Sequence, residues 1–245
     1  MKANQNLAIV GEKVLLVPYR KEHVKVSSSW RSSYIKYHEW MLDPELRELT
    51  ASEPLSLEEE YEMQRKWQKD EDKLTFIVLS RGEPRPERSN NLAKVVRESI
   101  YNTSRMIGDV NLFFKGSPSD DDYEVEAEIM IAEKSYRRTG LATEALQLLL
   151  SFATSFHYDP SPPSSNSDNA VAHPHSLPIS ADKLFALIGV KNSASQALFA
   201  KLGFVETRRV EVFDEAEMRL VDDDLSRRAK EWAKGTIVEL EDDGA

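Results

Sequence analysis

The sequence predicts an α/β (α+β) fold in which helices pack on a single sheet, and two segments carry this prediction. In the first, Tyr123 to Phe156, an apolar strand ends at Glu133, a basic turn with one glycine follows, and a long helix begins. The second begins at Lys183 and consists of a buried strand run, a helix and a further strand. Strands that alternate with helices in this way bury the apolar face of each helix against the sheet.

The elements that precede the first segment are predicted from apolar runs and helix caps. Ser56 and Glu59 have the spacing of a capping box, which predicts that a helix begins there. The polar stretch 81–104 contains two prolines and an Asn-Asn pair and is therefore expected to be an insertion loop. The full set comprises strands at 13–19, 74–80 and 105–114 and helices at 22–40 and 56–69.

The C-terminal elements follow the long helix of the first segment. A Pro/Ser/Asn-rich stretch, 157–180, is expected to be a mobile insertion within one domain, because the elements on either side belong to the same sheet. Asn192 or Ser193 can cap the next helix, and Ser193 with Gln196 forms a candidate capping box. A strand pair that turns near Asp214, a helix at 222–234 and an acidic tail at 235–245 complete a single domain over residues 1–245.

The composition argues against several classes of function. The chain has no cysteine, which excludes disulfides and thiolate nucleophiles, and its five histidines lack metal-ligand spacing, so that no metal site is expected. A formal net charge of −10 argues against a nucleic-acid partner. No apolar run approaches the length of a membrane span and the N-terminus lacks a signal peptide, so we expect a soluble cytoplasmic protein, with the nucleus as the alternative compartment.

The basic turn after the first strand predicts a ligand that carries phosphate. Arg137 and Arg138 lie just before a helix N-terminus, where positive charge is unfavourable unless an anion is bound. Gly140 allows the backbone of the turn to approach a bulky ligand closely. The alternative is a solvated basic turn that caps an ordinary helix.

Two motifs in the right order identify a family resemblance. The pattern Arg137-x-x-Gly140-x-Ala142 resembles the pyrophosphate-binding motif of the GCN5-related N-acetyltransferase (GNAT) superfamily. The run N-x-x-S-x-x-L-F-x-K-L-G-F from Asn192 resembles the next helix of that superfamily. Further blocks resemble its N-acetyltransferase-9-like branch; they include KYHEWM (36–41), LTASEPLSLEEEYEMQ (49–64), MIGDVNLF (106–113) and EIMIAE (128–133).

This resemblance implies an acetyltransferase fold and an activity. The central sheet would be mixed and mostly antiparallel, and the strands at 123–133 and 183–190 would run parallel and splay apart to form the coenzyme slot. The chain would move an acetyl group from acetyl-CoA to a protein amine, with an N-terminal α-amine and a tubulin-like substrate as the expected acceptor. The alternatives are a small-molecule amine acetyltransferase, acting on a polyamine or amino sugar, and a catalytically inactive acetyl-CoA-binding module.

The resemblance also assigns residues to the coenzyme. Many relatives have a tyrosine at the position of Phe199 that protonates the leaving thiolate, and Phe199 has no proton to give. Water or another tyrosine would then protonate the thiolate. The absence of the tyrosine also gives some support to the inactive acetyl-CoA-binding module. The expected coenzyme-binding residues are Met130, Ile131, Arg137, Arg138, Thr139, Gly140, Leu141, Ala142, Thr143, Asn192, Ser195 and Phe199.

The candidate catalytic residues are Glu126 and Glu128, on the strand that leads into the basic turn. Residues two apart share one face of a strand, so one glutamate could be the general base while the other binds a cationic substrate. The alternative is a charged stripe on a solvent face. By resemblance, His38, Glu39, Trp40 and Glu53 border the acceptor site; packing and surface positions are the alternative for these four.

Overall fold

Nine strands form one mixed sheet in the computed structural model, which describes residues 2–24, 36–82, 92–100, 105–155, 177–221 and 231–240. In chain order the strands are β1 (Leu7–Val10), β2 (Val14–Pro18), β3 (Lys73–Ser80), β4 (Met106–Lys115), β5 (Glu124–Ile131), β6 (Leu184–Gly189), β7 (Phe204–Val210), β8 (Glu215–Leu220) and β9 (Thr236–Glu239). They lie in the order β7-β8-β6-β5-β4-β3-β2-β1-β9, and every neighbouring pair is antiparallel except β5 and β6. The predicted mixed sheet with one parallel pair is therefore confirmed.

Helices cover both faces of this sheet. In the described part of the chain they are α1 (Lys21–Val24), α2 (Lys36–Leu42), α3 (Pro44–Leu49), α4 (Leu57–Lys69), α5 (Leu92–Ile100), α6 (Leu141–Ser155) and α7 (Ser193–Lys201). Leu149 and Phe152 of α6 pack with Phe76 of β3 in one core, whereas Tyr37 of α2 packs with Ile77 in the core on the other face. Adjacent residues of β3 thus enter opposite cores, as the alternation of side chains along a strand requires.

The parallel pair separates soon after it begins, as predicted. Only Val125↔Leu184 and Glu126↔Phe185 are paired between β5 and β6, although β5 continues to Ile131 and β6 to Gly189. Both strands then lead into helices, α6 and α7, whose N-termini lie at the same end of the slot. A ligand in this slot can therefore contact strand backbone on both sides and a helix N-terminus at its end.

The segment 81–104 was expected to be a loop, but residues Leu92–Ile100 form α5. Its apolar residues are spaced for one helix face, and Val96 and Ile100 enter the core on the α2 face of the sheet. The prolines at 84 and 86 determined the prediction for the whole segment, although they act only on their own neighbourhood. Residues 83–91 and 101–104 lie outside the described residues.

The C-terminal segment contains a strand that was not predicted. Residues Thr236–Glu239, expected to belong to an acidic tail, form β9 and pair with β1 at the edge of the sheet. The side chain of Val238 is buried there. Most of the predicted helix at 222–234, residues 156–176 of the predicted insertion and residues 25–35 of the predicted first helix lie outside the described residues.

The cap of α7 also differs from one of the two predictions. Asn192 is the N-cap, and its Oδ1 accepts a hydrogen bond from the Ser195 N–H at 3.1 Å. Gln196 does not form a capping box with Ser193, because its Nε2 donates to the carbonyl oxygens of Gly189 and Val190. The box predicted at Ser56 and Glu59 is present at the start of α4.

Candidate active site

The turn between β5 and α6 has the geometry of an anion-binding corner. Gly140 has φ +86°, and a Cβ placed on it would meet no atom within 4 Å. The first hydrogen bond within α6 runs from the Glu144 N–H to the Gly140 carbonyl oxygen, at 3.2 Å. The N–H groups of Leu141, Ala142 and Thr143 therefore have no acceptor within the helix and can bind an anion in the open space at the turn.

The two arginines of this turn have different surroundings. Arg137 Nε donates to the Ile131 carbonyl oxygen at 2.9 Å, so this half-buried side chain fastens the turn to the end of β5. Arg138 is exposed and has φ +61°, a left-handed conformation that is unfavourable for arginine. Thr139 is exposed too, and its Oγ1 donates to the Tyr136 carbonyl oxygen at 2.6 Å. Arg138 is therefore the better placed of the two guanidinium groups for a ligand phosphate.

The other predicted coenzyme residues fall into two groups. Met130 belongs to the core on the α2 face, and Ile131 packs against the core on the α6 face, so that these side chains lie on either side of the strand end. Phe199 is buried in the core of the α6 face, with its ring centroid 5.2 Å from that of Phe204. Its side chain thus packs α7 onto the core, whereas Asn192 and Ser195 lie at the α7 N-terminus near the slot.

Glu126 and Glu128 lie on the same face of β5 but have different partners. Glu126 is 6% exposed, and its Oε2 lies 2.6 Å from Lys115 Nζ. Burial, together with the nearby Glu126 and Asp109 carboxylates, raises the pKa of Glu128 to about 7. Glu128 is half-buried, so a substrate can reach it, and a carboxyl group with a pKa near neutrality suits a general base.

A further polar group, not predicted as part of the site, lies beside Glu128 on β4. Tyr37 Oη donates to Asp109 Oδ2 at 2.8 Å, and Asn111 also donates a hydrogen bond to Asp109. Burial raises the pKa of Asp109 to about 6. The pattern in the sequence was available: Asp109 and Asn111 alternate with Val110 and Leu112, so that the polar residues occupy one face of an otherwise apolar strand.

The residues predicted to border the acceptor site do not converge on one point. Trp40 is buried, and its Nε1 donates to Glu133 Oε1 at 2.9 Å, just before the basic turn. His38 Nδ1 lies 3.0 Å from Glu60 Oε1 in the interior. Glu39 is half-buried and Glu53 is exposed between α3 and α4. Trp40 therefore connects α2 to the segment that leads into the turn, and the acceptor role of these four residues stays a prediction.

Among the described residues, no three His, Asp or Glu side chains are grouped so that they could hold a metal ion. Within the same part of the chain, none of the helices is both long and apolar enough to span a membrane.

Comparison with known proteins extends these observations. A family model described as an acetyltransferase (GNAT) domain matches residues 28–205. An alpha/beta-tubulin-N-acetyltransferase 9 from Drosophila melanogaster is 40% identical over 218 residues, which cover 89% of this chain and 88% of the relative. The protein of the same name from Mus musculus is 39% identical over 236 residues, which cover 95% of this chain and 77% of the relative.

Solved structures are similar at the level of the fold. A GNAT-family acetyltransferase from Bacillus anthracis superimposes with a TM-score of 0.51 at 13% identity and covers 86% of this chain and 95% of its own. The microcin C7 self-immunity acetyltransferase MccE, solved with acetyl-CoA and AMP, has a TM-score of 0.50 at 9% identity and covers 84% of this chain and 91% of its own. At these identities the likeness concerns the fold alone.

Proposed function

This chain belongs to the GNAT acetyltransferase family and is an N-acetyltransferase; from that premise we propose that it acetylates the N-terminal α-amine of a protein, with tubulin as the leading candidate. The acetyl donor is acetyl-CoA, the donor that the family uses. Relatives that bear the name of tubulin N-acetyltransferases and align over most of this chain support the choice of acceptor. A tubulin acceptor would place the enzyme in the cytoplasm.

The single observation that carries the proposal is the position of Glu128 beside the slot that ends at the basic turn. We infer that the N–H groups of Leu141, Ala142 and Thr143, with Arg138, hold the pyrophosphate of the donor. The open space at Gly140 suits a bulky phosphate group. The donor chain would then lie along the splayed edges of β5 and β6, on whose face Glu128 lies.

The pKa of Glu128 favours an α-amine over a lysine side chain. The amine attacks the thioester carbon as a neutral base, so a C–N bond forms, the C–S bond breaks and the nitrogen gives one proton to Glu128. A terminal α-amine has a pKa of roughly 7.7–8.0, against about 10.4 for lysine. These values describe the protonated amines, so at a pH where Glu128 is ionised (its pKa is about 7) a much larger fraction of an α-amine than of a lysine is in the neutral form that attacks. Because Phe199 has no proton to give, the thiolate takes its proton either from water or from another tyrosine.

The experiment is an acetylation assay in which mass spectrometry locates the product. Peptides with the N-terminal sequences of α- and β-tubulin are offered with a free α-amine, beside the same peptides with a blocked N-terminus and a free lysine, and beside spermidine. We expect acetylation of the free α-amine alone. Spermidine as the better acceptor would favour a small-molecule enzyme, and calorimetric binding of acetyl-CoA without transfer to any acceptor would favour an inactive binding module.

A further inference from the structure

Strand β4 carries an amide oxygen that the activity described so far does not use. Asn111 is 5% exposed, and among the described residues its Oδ1 has no hydrogen-bond partner. A buried acceptor without a donor costs about 1–3 kcal/mol, and buried polar groups in native proteins are nearly always satisfied. Such an atom therefore indicates that a donor from a ligand or a water molecule belongs beside it.

The amide of Asn111 is held in one orientation. Asp109 accepts hydrogen bonds from Tyr37 Oη, at 2.8 Å, and from the Asn111 side chain. A carboxylate can only accept hydrogen bonds, so the atom that Asn111 directs at Asp109 is its amide nitrogen, Nδ2. The carbonyl end of the amide is then left with its two acceptor positions for another molecule.

This carbonyl lies next to the proposed general base. Asn111 is paired directly with Glu128 across β4 and β5, so both side chains occupy the same face of the sheet. The Cβ atoms of residues paired in this way are about 4.5–5.5 Å apart. Glu128 is half-buried whereas Asn111 is buried, so a group that enters from the slot meets Glu128 first and Asn111 behind it.

We propose that Asn111 binds the acceptor amine: its Oδ1 accepts one N–H of the amine while Glu128 takes the other proton. Asp109 and Tyr37 are positioning residues that fix the amide. This inference rests on the proposed function. Two oriented N–H groups leave the nitrogen lone pair directed away from both oxygens, toward the thioester carbon. The C–N bond then forms, the C–S bond breaks, and the proton remains on Glu128.

The arrangement predicts a substrate class, because it requires two N–H groups on the neutral amine. A primary α-amine has two, whereas an N-terminal proline has one and cannot satisfy Asn111 and Glu128 together. The enzyme should therefore prefer acceptors that begin with a primary amine. That preference should depend on Asn111.

The test compares Asn111→Leu with the matched variant Thr75→Val. Thr75 pairs with Asn111 on the side away from Glu128, is fully buried and also has an unpartnered hydroxyl among the described residues. Steady-state rates are measured with two peptides that differ only in an N-terminal alanine or proline, and calorimetry gives the affinity for acetyl-CoA. We expect Asn111→Leu to lower kcat/KM for the alanine peptide at least tenfold and to reduce the preference over proline. Affinity for acetyl-CoA should stay within twofold, and Thr75→Val should resemble the wild type.

Tyr37→Phe should show a smaller loss of kcat/KM in the same direction, since it loosens Asp109 without touching the amine. If Asn111→Leu does not fold, Asn111→Ser is measured in the same assays, with the same loss of kcat/KM and the same unchanged affinity for acetyl-CoA expected. Full kcat/KM in a folded Asn111 variant, or an equal loss in Thr75→Val, would overturn the role of Asn111 while the active wild type upholds the proposed function. A wild type that binds acetyl-CoA but acetylates no acceptor would overturn both.

Discussion

Lys115 Nζ lies 2.6 Å from Glu126 Oε2, and this ion pair separates the roles of two glutamates that occupy the same strand face. Glu126 has Lys115 as its ion-pair partner, whereas Glu128 has no ion-pair partner among the described residues. Burial, followed by the Glu126 and Asp109 carboxylates, raises the pKa of Glu128 to about 7, and Lys115 opposes this rise. The geometry therefore favours Glu128 as the base and Glu126 as a neighbouring charge that raises the pKa of Glu128.

Glu128→Gln should lower kcat roughly 10²- to 10⁴-fold, the range that a general base contributes. In the wild type, kcat/KM should rise with pH to a plateau above about 8, because Glu128, with a pKa of about 7, must be ionised and the α-amine, with a pKa of roughly 7.7–8.0, must be neutral. Glu126→Gln removes a neighbouring negative charge, so it should move this rise to lower pH and leave the plateau largely intact. Steady-state rates from pH 5.5 to 9 check both variants. An unchanged rate in Glu128→Gln would assign the base elsewhere.

Asp109→Asn should stabilise the protein at alkaline pH. Burial raises the pKa of Asp109 from 3.8 in the unfolded chain to about 6 in the folded protein, so folding favours the protonated form. Stability from this group is present below about pH 4, is lost as pH rises through about 6, and does not return above it. Asparagine carries no charge, and the Tyr37 hydroxyl can rotate to donate to its amide oxygen or accept from its amide nitrogen. Urea unfolding should give a variant more stable than wild type by roughly 2–3 kcal/mol at pH 8 and by much less at pH 4.

His23 should destabilise the fold in acid. Its Nδ1 accepts from the Arg20 N–H at 2.9 Å and its Nε2 lies 3.1 Å from the Ile100 carbonyl oxygen, so it joins α1 to the end of α5. Burial lowers the pKa of His23 from 6.5 to about 4, which means that the folded protein binds fewer protons than the unfolded chain. This contribution is complete above about pH 6.5 and is lost as pH falls toward 4.

His23→Gln retains a donor and an acceptor but cannot be protonated, which makes it the matched control. Between pH 6.5 and 4 the wild type should lose up to about 3 kcal/mol of unfolding free energy relative to this variant. Parallel pH dependences for the two proteins would show that the pKa of His23 is the same in the folded and unfolded states.

The slot and its basic turn could be predicted from the sequence because their signals are local. Gly140 is needed at φ +86°, Asn192 caps a helix, and apolar runs mark the strands on either side. The separate roles of Arg137 and Arg138 could not be predicted, because they depend on which carbonyl oxygens lie within reach after the turn has folded. Local patterns specify the backbone of such a corner, whereas side-chain partners come from tertiary contacts.

The polar residues of β4 show the same difference between local patterns, which the sequence reveals, and side-chain partners, which depend on tertiary contacts. The alternation around Asp109 places both polar residues on one face, which the sequence alone establishes. That Tyr37, more than seventy residues earlier, donates to Asp109 depends on how α2 packs on the sheet. The helix α5 was missed for a different reason: its nine residues give a short apolar stripe within a stretch whose composition is otherwise polar.

Gly108→Ala should destabilise the protein strongly, whereas Gly189→Ala should be tolerated. A Cβ on Gly108 would lie 1.8 Å from the Met130 carbonyl oxygen, a backbone atom of β5 that cannot move aside. A Cβ on Gly189 would meet no atom within 4 Å, and neither glycine has a positive φ. Overpacking of this kind costs about 1–3 kcal/mol or more. Thermal melts of the two variants should differ accordingly, and equal melting temperatures would mean that β4 and β5 can separate locally.

The two arginines of the basic turn should respond differently to substitution. Arg137→Ala removes the hydrogen bond to the Ile131 carbonyl oxygen and should cost about 1 kcal/mol of stability. Arg138→Ala should leave stability nearly unchanged and weaken acetyl-CoA binding about tenfold or more, because it removes an exposed guanidinium beside the proposed phosphate site.

Arg138→Gly separates conformation from charge at that position. Because Arg138 has φ +61°, glycine relieves the left-handed strain and should raise the melting temperature above that of Arg138→Ala. Both variants lack the guanidinium, so calorimetry should find acetyl-CoA binding weakened equally in the two. If Arg138→Gly binds as tightly as the wild type, the backbone N–H groups of the α6 N-terminus hold the phosphates without help from this side chain. Arg137 and Arg138 would then both serve the shape of the turn.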